Sequence, residues 1–116
     1  MLFAAIALTL CPPTGVRITC VHDGDTFIVE RERIRIADID APELNGKCSL
    51  ETARARKARD RLLTLLNAAP YKIYRQGKDR YGRTLAIVTN DGGSIGDQLV
   101  AEGLARTWAG RRESWC

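Results

Sequence analysis

One stretch of helical periodicity, residues 49 to 69, interrupts a chain whose other apolar residues tend to fall at alternate positions. Leu50, Ala53, Ala58, Leu62, Leu65 and Leu66 recur there at steps of three and four, and Arg54, Arg56, Lys57, Arg59 and Arg61 fill the remaining positions. That spacing predicts an amphipathic helix with a solvated basic face, opened by Ser49 and stopped by Pro70, whose ring cannot continue it. Before it, Val16–Val21 and Thr26–Glu30 read as strands joined by a tight Asp23-Gly24-Asp25 turn. Arg33 to Ile39 alternates again, with Ile34 and Ile36 on one face and Arg35 on the other. After it, Tyr71–Arg75 and Thr84–Thr89 read as two more strands around the polar loop Asp79–Arg83. Asn90-Asp91-Gly92-Gly93 turns the chain, and Ser94 with Asp97 forms a capping box for a second helix through Ile95, Leu99, Val100 and Leu104.

The resulting order, βββ-α-ββ-α, predicts an α+β fold: a five-stranded Greek-key barrel of the OB type, an architecture that often binds nucleic acids or oligosaccharides. At 116 residues the chain has room for one core and no second domain of ordinary size. Its net charge of +4 suits a polyanionic partner but is also ordinary for a soluble surface. The uncharged apolar run 1–10 is shorter than the roughly 20 residues of a membrane span. It reads either as the core of an export signal or as a terminal strand, which sets residues 1–15 apart from a domain over 16–116. The four cysteines contain no C-x-x-C pair and have one histidine to help them, which argues against a zinc knuckle and leaves disulfides or free thiols. Disulfides and an export signal agree on an oxidising, extracytoplasmic compartment, periplasmic or secreted. The pairing favoured is Cys11 with Cys20, across the Pro12-Pro13-Thr14-Gly15 turn, and Cys48 with Cys116. No dimerising stripe is visible, so a monomer is expected.

Three polar segments carry the chemistry: Asp23-Gly24-Asp25-Thr26, Arg35 to Glu43, and Asp79-Arg80-Tyr81-Gly82-Arg83. Taken alone, the first is a hairpin turn. In the second, Asp40 and Glu43 flank Ala41-Pro42, and the proline restricts the backbone so that the two carboxylates keep a defined relation. Asp25 and Asp40, with a backbone carbonyl such as that of Ala41, make a partly open oxygen-only site suited to Ca²⁺, with Glu43 beyond it as base. Arg35 and Asp40 have opposite parity on a strand, so a bulge or bend must intervene to bring them to one site. Arg83, exposed by the turn at Gly82, would approach from the other hairpin, and a guanidinium fork suits phosphate. A divalent ion, a carboxylate base and guanidinium groups are together the equipment of phosphodiester hydrolysis. His22 reads as structural, Asp23 as fixing the turn, and Asp38 as a supporting contact or an extra ligand. Trp108 and Trp115 in the basic tail read as packing against the barrel in preference to stacking on bases.

In this order, with the helix between the second and third, the segments resemble the staphylococcal nuclease (thermonuclease) family over residues 16 to 108. The resemblance implies an OB-fold, Ca²⁺-dependent nuclease that cleaves DNA and RNA and leaves 3′-phosphate ends. It implies calcium ligands at Asp25, Asp40 and the carbonyl of Ala41, a general base at Glu43, phosphate-binding arginines at Arg35 and Arg83, and a nucleotide contact at Tyr81. Ala41 stands where the family's type member has threonine, and Leu44-Asn45-Gly46-Lys47-Cys48 replaces a longer lysine-rich loop. The cysteines and the tail have no counterpart there. The rival class is a non-catalytic OB-fold module that binds nucleic acid, whose signature would be loss of a carboxylate or an arginine; this chain keeps them all. A third reading is a disulfide-stabilised secreted module that binds protein.

Overall fold

A computed structural model of the protein describes residues 7–116, so the export-signal reading lies, for residues 1–6, outside the described residues. The remainder of the apolar run belongs to the fold. Leu8 is buried in the core, and its backbone N–H and C=O pair with the side-chain amide of Asn67, each at 2.9 Å. Thr9–Leu10 (β1) then runs parallel to Cys20–Asp23 (β2).

The expected meander is present: β2, Thr26–Val29 (β3) and Glu32–Ile36 (β4) pair antiparallel in sequence order. Ile39–Asp40 (β5) leads to the first helix, Ser49–Ala68 (α1). Lys72–Lys78 (β6) and Thr84–Asn90 (β7) form the second hairpin, and β7 docks parallel on β4 with Arg35 opposite Leu85. Gly93–Ser94 (β8) folds back on β7, Ile95–Ala101 (α2) follows, and Arg106–Thr107 (β9) pairs antiparallel with β5. The result is an α+β fold, a mixed sheet ordered β1-β2-β3-β4-β7-β6 with two helices. Phe27, Ile34, Ile36 and Val88 from the sheet meet Leu62, Leu65 and Leu66 of α1 and Ile95 and Leu99 of α2 in one core. Both favoured disulfides, Cys11–Cys20 and Cys48–Cys116, are formed.

Five local expectations are corrected. The strand expected over Val16–Val21 begins only at Cys20, because the short Cys11–Cys20 disulfide loop and its two prolines leave Val16 and Ile18 outside, 69% and 49% exposed. Ile39 does not continue the third strand; a turn at Ala37–Asp38 separates it, and β5 starts in a new direction. The first helix is capped by Cys48, whose Sγ accepts the Glu51 N–H at 3.4 Å, and not by Ser49. Its phase is set by Ala55, Ala58, Leu62, Leu65 and Leu66, which places Glu51 inward and leaves Leu50 50% exposed and Ala53 on the surface. Finally, α2 ends at Ala101, before Leu104: Gly103 adopts φ 74° and the chain reverses, with the Leu104 N–H on the Leu99 carbonyl.

Gly24 explains how the acidic turn seats on this scaffold. A Cβ there would lie 2.6 Å from the Cβ of Ala58 on α1 and 3.0 Å from that of Ala41, so only a bare backbone fits. Gly24→Ala is therefore expected to destabilise the protein by about 1–3 kcal/mol in urea unfolding, and Ala58→Gly in the same chain to recover part of the loss. A Gly24→Ala variant as stable as the parent would contradict this packing.

Candidate active site

Asp25 leaves the turn pointing inward and is 5% exposed. Its Oδ1 accepts the Thr26 hydroxyl at 3.0 Å and its Oδ2 accepts the Ala41 N–H at 3.1 Å, while the Asp23 carboxylate accepts the Asp25 N–H and holds the turn. The Ala37–Asp38 turn supplies the bend that the parity of Arg35 and Asp40 requires. It brings Asp40, 4% exposed, beside Asp25, while the Arg35 guanidinium donates to the carbonyls of Ile36 and Ile39 and lies 3.6 Å from Asp25 Oδ2.

The β6–β7 loop brings the second arginine. Asp79 accepts the backbone N–H groups of Tyr81 and Arg83 at 2.9 Å each and Arg83 Nε at 2.7 Å. Burial alone would raise the Asp79 pKa, but these hydrogen bonds outweigh it and hold the carboxyl below its ordinary value. Arg83 Nη1 thereby reaches 3.5 Å from the Thr26 hydroxyl, next to Asp25. The exposed Tyr81 ring lies against both neighbouring guanidiniums, with Arg80 at 5.0 Å and Arg83 at 5.6 Å. One cavity of about 340 Å³ is lined by Asp25, Arg35, Asp40, Glu43, Tyr81 and Arg83, together with Trp108 and Arg112. Of the residues expected to bind the ion, the phosphate or the nucleotide or to act as base, all line it except Ala41, whose side chain is buried; His22, Asp23 and Asp38 do not.

Arg112 and Glu51 were missed, as was the hydrogen bond that Trp115 makes to the site. Arg112 Nη1 contacts Asp40 Oδ1 at 3.3 Å and Glu43 Oε1 at 3.0 Å, and its Nη2 contacts Glu51 Oε2 at 3.3 Å. The Trp115 indole N–H donates to Asp40 Oδ2 at 3.3 Å, and the ring is buried under the Arg106 guanidinium at 3.7 Å. The tail thus packs at Trp115 as expected, whereas Trp108 is exposed on the cavity wall. Glu51 accepts the N–H groups of Glu43 and Lys47 at 3.0 and 3.1 Å and so fixes the loop that carries Glu43. The favoured Cys48–Cys116 bond was the sequence signal that could have brought the tail to this site.

Burial raises the pKa of Asp40 and of Glu43, opposed in both cases by Arg112. Burial and the neighbouring Asp25 raise that of Asp23 strongly. His22, partly buried beside Arg17, has its pKa lowered by desolvation and then by that guanidinium. Asp38 turns away from the cavity; its Oδ1 is buried without a partner, toward Gly96 of α2. Among the described residues no group of three or more His, Cys, Asp or Glu side chains is gathered for a metal ion. A hard cation here would rely on two carboxylates, a carbonyl and water. That donor set is oxygen-only, and the two buried carboxylates of Asp25 and Asp40 line one cavity wall, so the residues fit such an ion.

Fold and site together define a small α+β protein in which buried acids and guanidinium groups converge on one open cavity. The family model for staphylococcal nuclease homologues matches residues 33–114. The chain is 35% identical over 125 aligned residues to a micrococcal nuclease of Shigella flexneri, covering 93% of this chain and 67% of that protein. It is 34% identical over 100 residues to an uncharacterized endonuclease of Haemophilus influenzae, covering 86% and 49%, and 32% identical over 110 residues to a thermonuclease of Staphylococcus hyicus, covering 90% and 65%. The chain belongs to the staphylococcal nuclease family, and it spans between about half and two thirds of the length of these relatives.

Glu51 gives the site a stability signature. Hydrogen bonds from the Glu43 and Lys47 amides lower its pKa from 4.5 on folding, so its contribution is full above the unfolded value and fades as pH falls through the lower folded one. Glu51→Gln should therefore lower the melting temperature at pH 7, and the gap to wild type should narrow below about pH 4. A gap independent of pH would contradict this role.

Proposed function

We propose that this domain hydrolyses phosphodiester bonds in DNA and RNA and leaves 3′-phosphate ends, with Ca²⁺ held by Asp25, Asp40 and the carbonyl of Ala41. The observation that carries it is the meeting of Asp25, Asp40, Glu43, Arg35 and Arg83 on one cavity from three separate segments. The names its relatives bear, micrococcal nuclease, endonuclease and thermonuclease, support it. The fold we read as an OB-type barrel, and two disulfides suit an extracytoplasmic location.

The bound cation would polarise the phosphoryl group. Arg35, anchored by two backbone carbonyls, and Arg83, anchored by Asp79, would hold the phosphate and stabilise charge developing on its oxygens. Glu43, partly exposed and with its pKa raised by burial, would take the proton of the attacking water. Tyr81 would contact the nucleotide.

A second groove, of about 430 Å³, gives the strand a path. Arg17, His22, Ile28 and Arg33 line it, and it shares Glu43, Tyr81 and Arg83 with the cavity. Arg17 and Arg33 donate to the carbonyls of Pro12 and Tyr81 and, among the described residues, have no carboxylate partner, so their charge is available to backbone phosphates.

Glu43→Gln should lose roughly 10²–10⁴-fold in turnover on single-stranded DNA in Ca²⁺ while still binding the strand. Wild-type products should be substrates for a 3′-phosphatase. A wild type that binds DNA and cuts it under no metal would establish the binding-module reading instead. Replacing Arg17 and Arg33 together by Ala should reduce the slope of log affinity against log salt by about 1.4 for a labelled oligonucleotide. An unchanged slope would place the strand elsewhere.

A further inference from the structure

We infer that the C-terminal segment 108–116 is a working wall of this site, in which Arg112 is a positioning residue for Asp40 and Glu43 and the Cys48–Cys116 disulfide keeps it there. The inference rests on the hydrolase reading above.

Arg112 touches three carboxylates from three parts of the fold: Asp40 in β5, Glu43 in the following loop and Glu51 in the first turn of α1. A planar guanidinium with donors in fixed directions sets the relative orientation of such groups, which a flexible ammonium does not. The contacts leave Asp40 usable. A carboxylate offers about four lone-pair positions, and Arg112 and the Trp115 indole each take one, so positions remain for a further ligand. Without Arg112, the Asp40, Glu43 and Glu51 carboxylates would have no ion-pair partner among the described residues, and Glu43, on a partly exposed loop, is the one free to swing out.

Arg112 lies in a stretch with no helix or strand of its own, so its place is set from both ends. On one side, β9 pairs with β5 and the Trp108 N–H donates to the Asp38 carbonyl. On the other, Arg106 covers Trp115 and donates to the Ser114 carbonyl, and Cys116 is bonded to Cys48. Cys48 caps α1 through the Glu51 N–H, so disulfide, helix start, Glu51, Arg112 and Glu43 form one closed circuit.

The test compares Arg112→Ala, Arg112→Lys, the paired Cys48→Ser and Cys116→Ser variant, and the combination of the alanine and serine changes, on single-stranded DNA in Ca²⁺. Arg112→Ala should lower kcat roughly 10- to 100-fold, the scale of a positioning error, with KM nearly unchanged, and Arg112→Lys should recover only part. Arg111→Ala, whose exposed side chain has Glu113 at 4.0 Å as its one ion-pair partner among the described residues, should behave as wild type. The serine pair should lose a similar factor, and the combination should lose no more than either alone, since both act through one contact. The rise in melting temperature on adding Ca²⁺ should persist in Arg112→Ala, showing that fold and cation site survive. An unimpaired kcat in Arg112→Ala, a loss confined to KM, or additive losses in the combination would each overturn the inference while the hydrolase reading stands. A wild type that does not cut removes that reading and this inference with it. Should the serine pair fail to fold, the Arg112 variants decide alone.

Discussion

The Asp25 carboxylate accepts the backbone N–H of Ala41 from sixteen residues away, and the rest of the site depends on that bond. Both partners are buried, so breaking it would leave the Ala41 amide unsatisfied, at about 1–3 kcal/mol. Through it the β2–β3 turn and the strand after the Ala37–Asp38 bend become one body. The Ile36 N–H on the Asp25 carbonyl adds a second tie, and the absent side chain of Gly24 lets both settle against α1. Two acids that the chain separates widely thus share one cavity wall before any ligand arrives.

Three cations of this cavity, Arg35, Arg83 and Arg112, are held in three different ways. Arg35 rests on backbone carbonyls, which fix its direction without neutralising it, and its approach to Asp25 stays loose at 3.6 Å. Arg83 is paired closely to Asp79 and presents its far edge to the cavity. Arg112 is shared among three acids and is brought in from the end of the chain. Guanidinium groups fixed before the substrate binds need little reorganisation when charge develops on a phosphate, which is the condition for electrostatic stabilisation to be large.

Much of this was legible in the sequence because it is local. The alternation of Ile34, Arg35 and Ile36 gave the third strand, the three- and four-residue steps of Ala58, Leu62 and Leu65 gave the helix, and the Pro12-Pro13-Thr14-Gly15 turn pointed to the Cys11–Cys20 bond. The parity conflict between Arg35 and Asp40 showed that a bulge or bend would be needed to bring them to one site, without placing it. What was not legible comes from tertiary contact. Glu51 reads as one more surface acid of a helix until the loop amides of Glu43 and Lys47 are laid over it, and Cys48 becomes a cap only once the chain before it turns. The contacts of Arg112 span 72, 69 and 61 residues and leave no periodic trace. Val16 and Ile18 show the converse: a convincing alternation overridden by a disulfide loop.

The central claim is that the two buried aspartates and the two arginines Arg35 and Arg83 serve a single phosphate through one cation. A crystal structure of the protein grown with Ca²⁺ and a nucleoside 3′,5′-bisphosphate tests it most directly. The account predicts one ion in contact with Asp25, Asp40 and the Ala41 carbonyl, with a phosphate of the nucleotide between it and the guanidiniums of Arg35 and Arg83. An ion bound elsewhere, or a nucleotide whose phosphates touch neither arginine, would contradict it.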